Sequence, residues 1–215
     1  MEPTLLDSLQ QEVLAAFFRR EDRFFLTGGA ALAGFYLGHR TTKDLDLFTT
    51  QDRMEEGVAA LTATAAEIGA SIEAVETSPD FRRFLLRRGT GAVIVDLVRD
   101  LAPQIFPDKP LVGGIRIDPP EEILANKLCA LLSRAEIRDL VDVWALEKHG
   151  FSIEKGLEQS SLKDGGMTPG QLAWVLSQIE IGEDADPPGV SATELRQYLA
   201  DLLSRLAGTA FPDRT

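Results

Sequence analysis

The sequence is poor in cysteine, in long apolar runs and in positive charge, and each shortage excludes a class of protein. The one cysteine, Cys129, cannot form a disulfide within the chain, and its apolar helical surroundings favour a packed thiol in a reducing compartment. No run approaches the roughly 18 consecutive apolar residues of a membrane-spanning helix. The first residues also lack the pattern of a signal peptide. We therefore expect a cytoplasmic protein without a membrane span.

The shortage of positive charge limits the partners of the chain. With 22 basic and 34 acidic residues, the formal net charge at pH 7 is −12. Broad, non-specific binding of nucleic acid needs basic surface over a wide area, so this class is excluded. A nucleic-acid substrate would have to meet a local basic patch.

The chain is long enough for one sizeable domain or two small ones, with 215 residues of which 44% are hydrophobic and 26% charged. Apolar periodicity predicts helices at 5–18, 30–37, 53–68, 119 onward, 136–148, 153–162, 169–179 and 192–207, and strands at 24–26, 43–48, 71–76, 81–86, 92–98 and 114–117. The fold class is therefore α+β, with a small mixed β-sheet core and flanking helices in residues 1–117. A helical half follows in residues 118–215, with Asp118 as its first helix-capping candidate.

The stretch Phe24–Phe48 has the strongest pattern in the chain. A short apolar run is followed by Gly28-Gly29 and then by apolar residues at helical spacing. A strand, a glycine turn and a helix start place backbone N–H groups and the positive end of a helix at one point, which suits a phosphate. Taken alone, a Gly-Gly pair is usually only a turn.

A pair of carboxylates follows this turn. Read as a strand, Lys43–Phe48 places Asp44 and Asp46 on one face, about 6.6–6.8 Å apart along the strand. Two such carboxylates can both reach Mg²⁺, which takes oxygen ligands and leaves room for substrate phosphates. An isolated Asp-x-Asp is usually a solvated strand end, but the pair together with the glycine turn indicates metal-assisted phosphoryl or nucleotidyl transfer.

Asp96 interrupts an apolar strand, Ala92–Val98. Because both faces of that strand are apolar, we expect it to be central, where a carboxylate is costly unless it is paired or binds a cation. A hydrogen-bonded aspartate at a strand end is the simpler interpretation. As a third carboxylate, Asp96 could ligate the metal and accept the proton of an attacking hydroxyl.

Two helices of the second half carry further candidates. Lys127 lies in an apolar stripe between Ile123 and Leu131, so it either extends to water or meets an anion such as a triphosphate. In the second case, methionine at 127 should preserve folding and weaken nucleotide binding. On the next helix, Arg138 and Asp142 could form an exposed helical pair, or Asp139 or Asp142 could fix Lys127 or Arg138 in place.

Together these motifs resemble the AbiEii/AbiGii-type nucleotidyltransferase toxin family, within the DNA polymerase β-like nucleotidyltransferase superfamily. The resemblance extends from residue 26 to residue 146. It is carried, in order, by Leu26-Thr27-Gly28-Gly29-Ala30, Arg40–Asp46, Val95-Asp96, Asn126-Lys127-Leu128 and Arg138-Asp139 with Asp142. One departure is Ala30, where the wider superfamily often has serine and so a hydroxyl contact to phosphate.

The resemblance implies a role for each position. Gly28 and Gly29 would hold phosphate. Asp44, Asp46 and Asp96 would be the metal and base carboxylates. In the helical half, which would complete the active site, Lys127 would hold the phosphates of the nucleotide together with Arg138, and Asp142 would be the acid of the fourth motif.

The expected function is Mg²⁺-dependent transfer of an NMP from an NTP to an acceptor hydroxyl, on the 3′ end of tRNA or another RNA, by the toxin of a toxin–antitoxin pair. A dense basic run offers an acceptor-binding surface: Arg82, Arg83, Arg87 and Arg88. The same arginines could simply balance nearby acids. Residues 154–215 hold ten acidic against five basic side chains, which makes that segment a poor nucleic-acid surface. The alternatives are a small-molecule nucleotidyltransferase of the antibiotic-modifying kind and a non-catalytic nucleotide-binding module.

Overall fold

The structure is a computed structural model that describes residues 5–210. These residues form two compact units. The first contains the described residues up to Leu101 together with Phe106–Pro119. The second contains Ala102–Ile105 and the described residues from Pro120 onward.

The first unit is built on a five-stranded mixed sheet, as the sequence predicts. Its strand order is β1-β2-β5-β4-β3, and only β2 and β5 pair in parallel. A separate two-stranded hairpin, β6-β7, follows the sheet and contains the short strand expected near residue 114. The strands are β1 Phe25–Thr27, β2 Asp44–Thr49, β3 Ser71–Thr77, β4 Phe81–Arg88, β5 Gly91–Arg99, β6 Leu111–Val112 and β7 Ile115–Arg116.

Helices flank the sheet and make up the second unit. Those of the first unit are α1 Ser8–Phe18, α2 Gly28–Ala31 with a π-helical continuation Leu32–Tyr36, and α3 Met54–Glu67. Those of the second are α4 Pro120–Arg134, α5 Ile137–Lys148, α6 Ile153–Lys163, α7 Pro169–Leu176 and α8 Ala192–Ala210. Among the described residues, no helix is both long and apolar enough to cross a membrane.

The two faces of the sheet differ in character. On β2, Leu45 and Leu47 are fully buried, whereas Asp44 and Asp46 on the other face are half-buried. The buried face packs against α1 and α3, since both helices contact β5. Phe17 of α1 and Phe24 meet edge-to-face at 5.6 Å in this core. The apolar and acidic residues that alternate along β2 in the sequence therefore point alternately into the core and onto the opposite, carboxylate-bearing face of the sheet.

Three boundaries differ from those expected, each for a local reason. Helix α1 begins at Ser8 because Asp7 and Gln10 form a reciprocal capping box, with bonds of 2.8 and 2.9 Å. Helix α2 begins at Gly28, so the glycine pair is its first turn and not a loop before it. The prediction that Asp118 caps the first helix of the second half was wrong. Helix α4 starts two residues later, at Pro120, and the Asp118 carboxylate pairs with Lys109 at 2.7 Å.

The second unit is organised around α4, which contacts α5, α6 and α7, while α8 packs on α7 and α5. Gly156 of α6 lets this helix pack closely on α4, since a Cβ at residue 156 would meet the Leu124 side chain at 2.9 Å. Leu128, Leu140 and Leu172 are fully buried in the interior of this unit. The helical second half expected from the sequence is thus confirmed.

Candidate active site

One row of side chains crosses the half-buried face of the sheet. Thr27 of β1 is in register with Asp46 of β2, Asp46 with Asp96 of β5, and Asp96 with Arg83 of β4. Residues in register on neighbouring strands project to the same face, with Cβ atoms about 5 Å apart. The pairing therefore places a hydroxyl, two carboxylates and a guanidinium side by side, with Asp44 on the same face of β2.

Gly28 allows Asp46 to occupy its place in this row. Its φ is +64°, a conformation that suits glycine, and a Cβ at this position would overlap Asp46 Oδ2. The first residue of α2 and the carboxylate of β2 are therefore in close contact. A side chain on residue 28 would displace that carboxylate.

Arg40 takes the corresponding place beside Gly29. Its side chain is buried, and a Cβ on Gly29 would come within 2.5 Å of Arg40 Nη2. A side chain at either position would therefore clash, with the acidic Asp46 at residue 28 and with the basic Arg40 at residue 29. Arg40 belongs to the motif Arg40–Asp46 that carries the family resemblance, and its contact with Gly29 gives it a role in this part of the fold.

Thr27 ends β1 and occupies the N-cap position of α2. Its hydroxyl makes no capping hydrogen bond. The residue is 3% exposed, and Oγ1 has no hydrogen-bond partner among the described residues. A buried, unpaired hydroxyl beside the carboxylate row is an unsatisfied polar group at the place where a ligand is expected.

Asp96 is held by Arg83 in a two-pronged contact. Arg83 Nε donates to Oδ1 at 2.8 Å and Nη2 donates to Oδ2 at 2.7 Å. The hydrogen bond to Asp96 is the main cause that raises the pKa of Arg83, and the charges of Asp96, Asp44 and Glu76 add to it against a smaller effect of burial. The central strand position expected for Asp96 is confirmed by its neighbours β2 and β4. Its partner, however, is a basic residue assigned from sequence to the acceptor.

The donor set on this face fits a hard divalent cation in part. Asp44 and Asp46 offer oxygen ligands on one strand, with Gly28 and the unpaired Thr27 hydroxyl beside them. Within residues 5–210, however, no three acidic, histidine or cysteine side chains converge as a ready metal site. The third ligand role of Asp96 stays a prediction, because both of its oxygens are bonded to Arg83.

The other three arginines of the basic run also face carboxylates. Arg82 pairs with Glu55, and Arg88 forms a two-pronged pair with Glu12 at 2.5 and 2.8 Å. Arg87 has the loosest contact, 3.7 Å from Glu73, and its side chain is 59% exposed. Arg87 is therefore the member of the run most available to an acceptor.

A second cluster of charges lies inside the helical unit. The ammonium of Lys127 is 2.7 Å from both Asp139 Oδ1 and Asp142 Oδ2, and Arg134 donates to Asp139 at 2.8 Å. Lys127 is 8% exposed and Asp142 is fully buried. Lys127 therefore does not extend to water, and Asp142 is not part of an exposed helical pair. Arg138 is exposed, 3.4 Å from Glu136.

The charges of this cluster shift each other's titration. Burial alone would lower the pKa of Lys127, but the carboxylates of Asp142 and Asp139 outweigh it, and the pKa is raised. Burial would raise the pKa of Asp139, but Lys127 and Arg134 lower it. Because the pKa of Lys127 is raised in the folded state, its charge stabilises the fold below about pH 10, and this stabilisation is lost as the pH rises through the folded pKa. Because the pKa of Asp139 is lowered in the folded state, its charge stabilises the fold above about pH 4, and this stabilisation is lost as the pH falls through the folded pKa.

The family model described as "Nucleotidyl transferase AbiEii toxin, Type IV TA system" matches residues 12–212. The chain belongs to the AbiEii family. It is accordingly a nucleotidyltransferase from a toxin–antitoxin context, and the resemblance expected from the sequence is confirmed.

Solved structures share the AbiEii fold of this chain at low sequence identity. A candidate nucleotidyltransferase from H. pylori is 19% identical, with a TM-score of 0.62 over 92% of this chain and 91% of that one. JHP933 from Helicobacter pylori is 21% identical, with a TM-score of 0.57 over 95% and 93%. The nucleotidyltransferase toxin MenT4 from Mycobacterium tuberculosis H37Rv is 16% identical, with a TM-score of 0.60 over 94% and 82%. No curated protein sequence matches the chain significantly.

The close approach at Gly28 gives the first prediction for this AbiEii-family protein. Gly28→Ala should cost about 1–2 kcal/mol of stability because of its positive φ, and should also displace Asp46 and abolish nucleotidyl transfer. Gly38→Ala is the matched control, since Gly38 has φ +58° and a Cβ there would meet nothing within 4 Å. Unfolding curves and transfer assays on both variants test this prediction. Equal activities in the two variants would show that the close contact between Gly28 and Asp46 is not needed for transfer.

The Lys127 cluster gives the second prediction and corrects an earlier expectation. Lys127→Met should not fold normally, because it leaves Asp139 and Asp142 buried without their shared cation. We expect a loss of about 3–5 kcal/mol at pH 7. The loss should narrow as the pH falls towards 4, where the stranded carboxyls protonate.

Lys148→Met is the control for this prediction. Lys148 pairs with Glu194 at the surface and its side chain is 57% exposed, so about 1 kcal/mol or less should be lost. Denaturant titrations of both variants at pH 7 and pH 4 make the comparison. Similar losses for the two lysines at pH 7 would show that the buried cluster contributes nothing special.

Proposed function

We propose that the chain transfers an NMP from a nucleoside triphosphate to an acceptor hydroxyl at the 3′ end of a tRNA, in a Mg²⁺-dependent reaction that releases pyrophosphate. The observation that carries the proposal is the row Thr27–Asp46–Asp96 beside the glycine start of α2. Family membership supports the transfer reaction itself. The metal, the acceptor and the residue roles are our inference.

Each part of the row has a chemical task in this proposal. Asp44 and Asp46 would hold Mg²⁺, which when bound offsets the negative charge of the phosphates. The backbone N–H groups of Gly28 and Gly29 would face the phosphates, beside the Asp46 and Arg40 side chains that take the space of the missing Cβ atoms. Asp96 would accept the proton of the attacking hydroxyl. Arg83 takes one lone pair of each Asp96 oxygen, so the proton would go to a second lone pair of one of them.

The roles proposed for the helical unit remain predictions. We keep Lys127 and Arg138 as contacts for nucleotide phosphates and Asp142 as the acid of the fourth motif. The structure supports a fixed position for Lys127, which Asp139 and Asp142 hold from two sides. A cytoplasmic protein with a cognate antitoxin fits the family context.

The acceptor divides the proposal from its main alternative, a small-molecule nucleotidyltransferase. The net charge of −12 leaves little basic surface for RNA. The exposed Arg87 and its neighbour Arg88 are the best placed of the described basic run. We therefore assign the contact with an RNA acceptor to these two side chains.

The reaction is tested by incubating the protein with each labelled NTP in turn, with Mg²⁺ and total tRNA, and resolving the products on a gel. We expect label on tRNA with at least one NTP. Asp46→Asn should abolish the transfer while metal-free stability stays unchanged or rises slightly, because one of several neighbouring like charges is removed.

The control for Asp46→Asn is Asp52→Asn, whose side chain is 84% exposed. That variant should retain full transfer. A clear fall in the metal-free melting temperature of Asp46→Asn would mark Asp46 as a structural residue and remove it from the site. Absence of labelled tRNA with all four NTPs would favour a different acceptor.

A second experiment addresses the acceptor surface. The double variant Arg87→Gln/Arg88→Gln should weaken tRNA binding and flatten its dependence on log salt by about two units, roughly one for each lost phosphate contact. NTP affinity should not change. Arg19→Gln/Arg20→Gln is the matched control, because these adjacent arginines both pair with Glu67 on α3. An unchanged salt slope in the first variant would support the small-molecule alternative.

A further inference from the structure

The hydroxyl of Thr27 is not used by the folded chain. A threonine at an N-cap normally accepts a hydrogen bond from the backbone two or three residues on, and Thr27 makes no such bond. Within residues 5–210, Oγ1 finds no other partner either, although the residue is 3% exposed. Buried hydroxyls are nearly always hydrogen-bonded, because leaving one unpaired costs free energy.

The surroundings of this hydroxyl indicate what would pair with it. Thr27 is in register with Asp46, so its side chain lies on the carboxylate face of the sheet. It directly precedes Gly28, whose missing side chain leaves room for the Asp46 carboxylate. A ligand at this point would meet a hydroxyl donor and the oxygens of Asp44 and Asp46, which together favour a phosphate accompanied by a divalent cation.

We propose that Thr27 Oγ1 donates a hydrogen bond to a phosphate oxygen of the nucleoside triphosphate. This assignment rests on the proposed function and names a substrate contact that the family resemblance does not supply. It gives the site a hydroxyl on the residue before the glycine pair, whereas Ala30, just after it, has none. Binding of the nucleotide then gives a partner to a hydroxyl that has none among the described residues.

Thr27→Val separates this role from a structural one. Valine has nearly the shape of threonine, and in the nucleotide-free protein no hydrogen bond is lost. The melting temperature should therefore stay the same or rise, since an unsatisfied buried hydroxyl is removed. Affinity for the triphosphate should fall roughly tenfold to hundredfold, the usual range for loss of a hydrogen bond to a charged group. Thr27→Ser restores the hydroxyl and should bind within about twofold of the parent protein.

Thr64 offers a matched control within the same unit. It is fully buried on α3, and its Oγ1 also lacks a hydrogen-bond partner among the described residues. Helix α3 packs on the sheet through β5 and contacts α1, on the side of the apolar core. Thr64→Val should therefore change stability in the same direction as Thr27→Val and leave binding unaffected.

Calorimetry with Mg²⁺ and inorganic triphosphate, and then with each of the four α,β-methylene NTP analogues, measures the affinity without turnover. The expected result is weaker binding for Thr27→Val alone, with melting temperatures of both valine variants at or above that of the parent. Equal affinity of Thr27→Val and the parent would overturn the Thr27 assignment and leave the proposed function standing. A marked fall in the melting temperature of Thr27→Val would also overturn it, since the hydroxyl would then be structural. If the parent binds none of these probes, the assignment and the proposed function both fall.

Discussion

The parallel pairing of β2 with β5 is the constraint on which the sheet unit depends. It places Asp46 and Asp96 in register, so two carboxylates lie side by side in the middle of the sheet. Like charges at this spacing repel each other unless a cation stands near. The protein supplies one from the next strand, where Arg83 is in register with Asp96 and bonds both of its oxygens. The carboxylate face of the sheet is therefore a row of charges in which Asp96 already has its counter-charge.

The other side of the row is shaped by close contact and not by charge. Gly28 lies so near Asp46 that only glycine fits, and Thr27 ends its strand with a hydroxyl bonded to nothing in the described chain. The unpaired hydroxyl reduces the stability of the nucleotide-free protein. Local costs of this kind are concentrated at functional sites, where a ligand compensates them.

The helical unit handles its buried charges differently. Lys127, Asp139, Asp142 and Arg134 form a group in which each charge has an opposite neighbour. Such a group adds little net stability compared with apolar packing, but it fixes the direction of every member. Lys127 is consequently a rigid charge and not a mobile one.

Much of this could be predicted from the sequence, because it follows from local pattern. The alternation of Asp44-Leu45-Asp46-Leu47 assigns one face to the core, and the apolar run around Asp96 identifies a central strand. The apolar stripe of α4 likewise marks Lys127 as a residue with an unusual environment.

The remainder depends on register and packing, which no local pattern contains. Arg83 belongs to a basic run, and only the pairing of β4 with β5 shows that it faces Asp96 while Arg87 stays exposed. The burial of Arg40 against Gly29 has no sequence signal beyond its place in the motif. Thr27 looked like an ordinary strand residue, since an unpaired hydroxyl can be recognised only when every neighbour is known.

The Arg83–Asp96 pair also bears on how the protein reaches its folded state. Because the counter-charge for Asp96 is part of the chain, a newly made polypeptide can close its central strands without recruiting an ion from the cell. Chelators that strip divalent cations should then leave the sheet intact. Depletion of divalent cations would therefore leave the protein folded, and not misfolded and exposed to proteolysis.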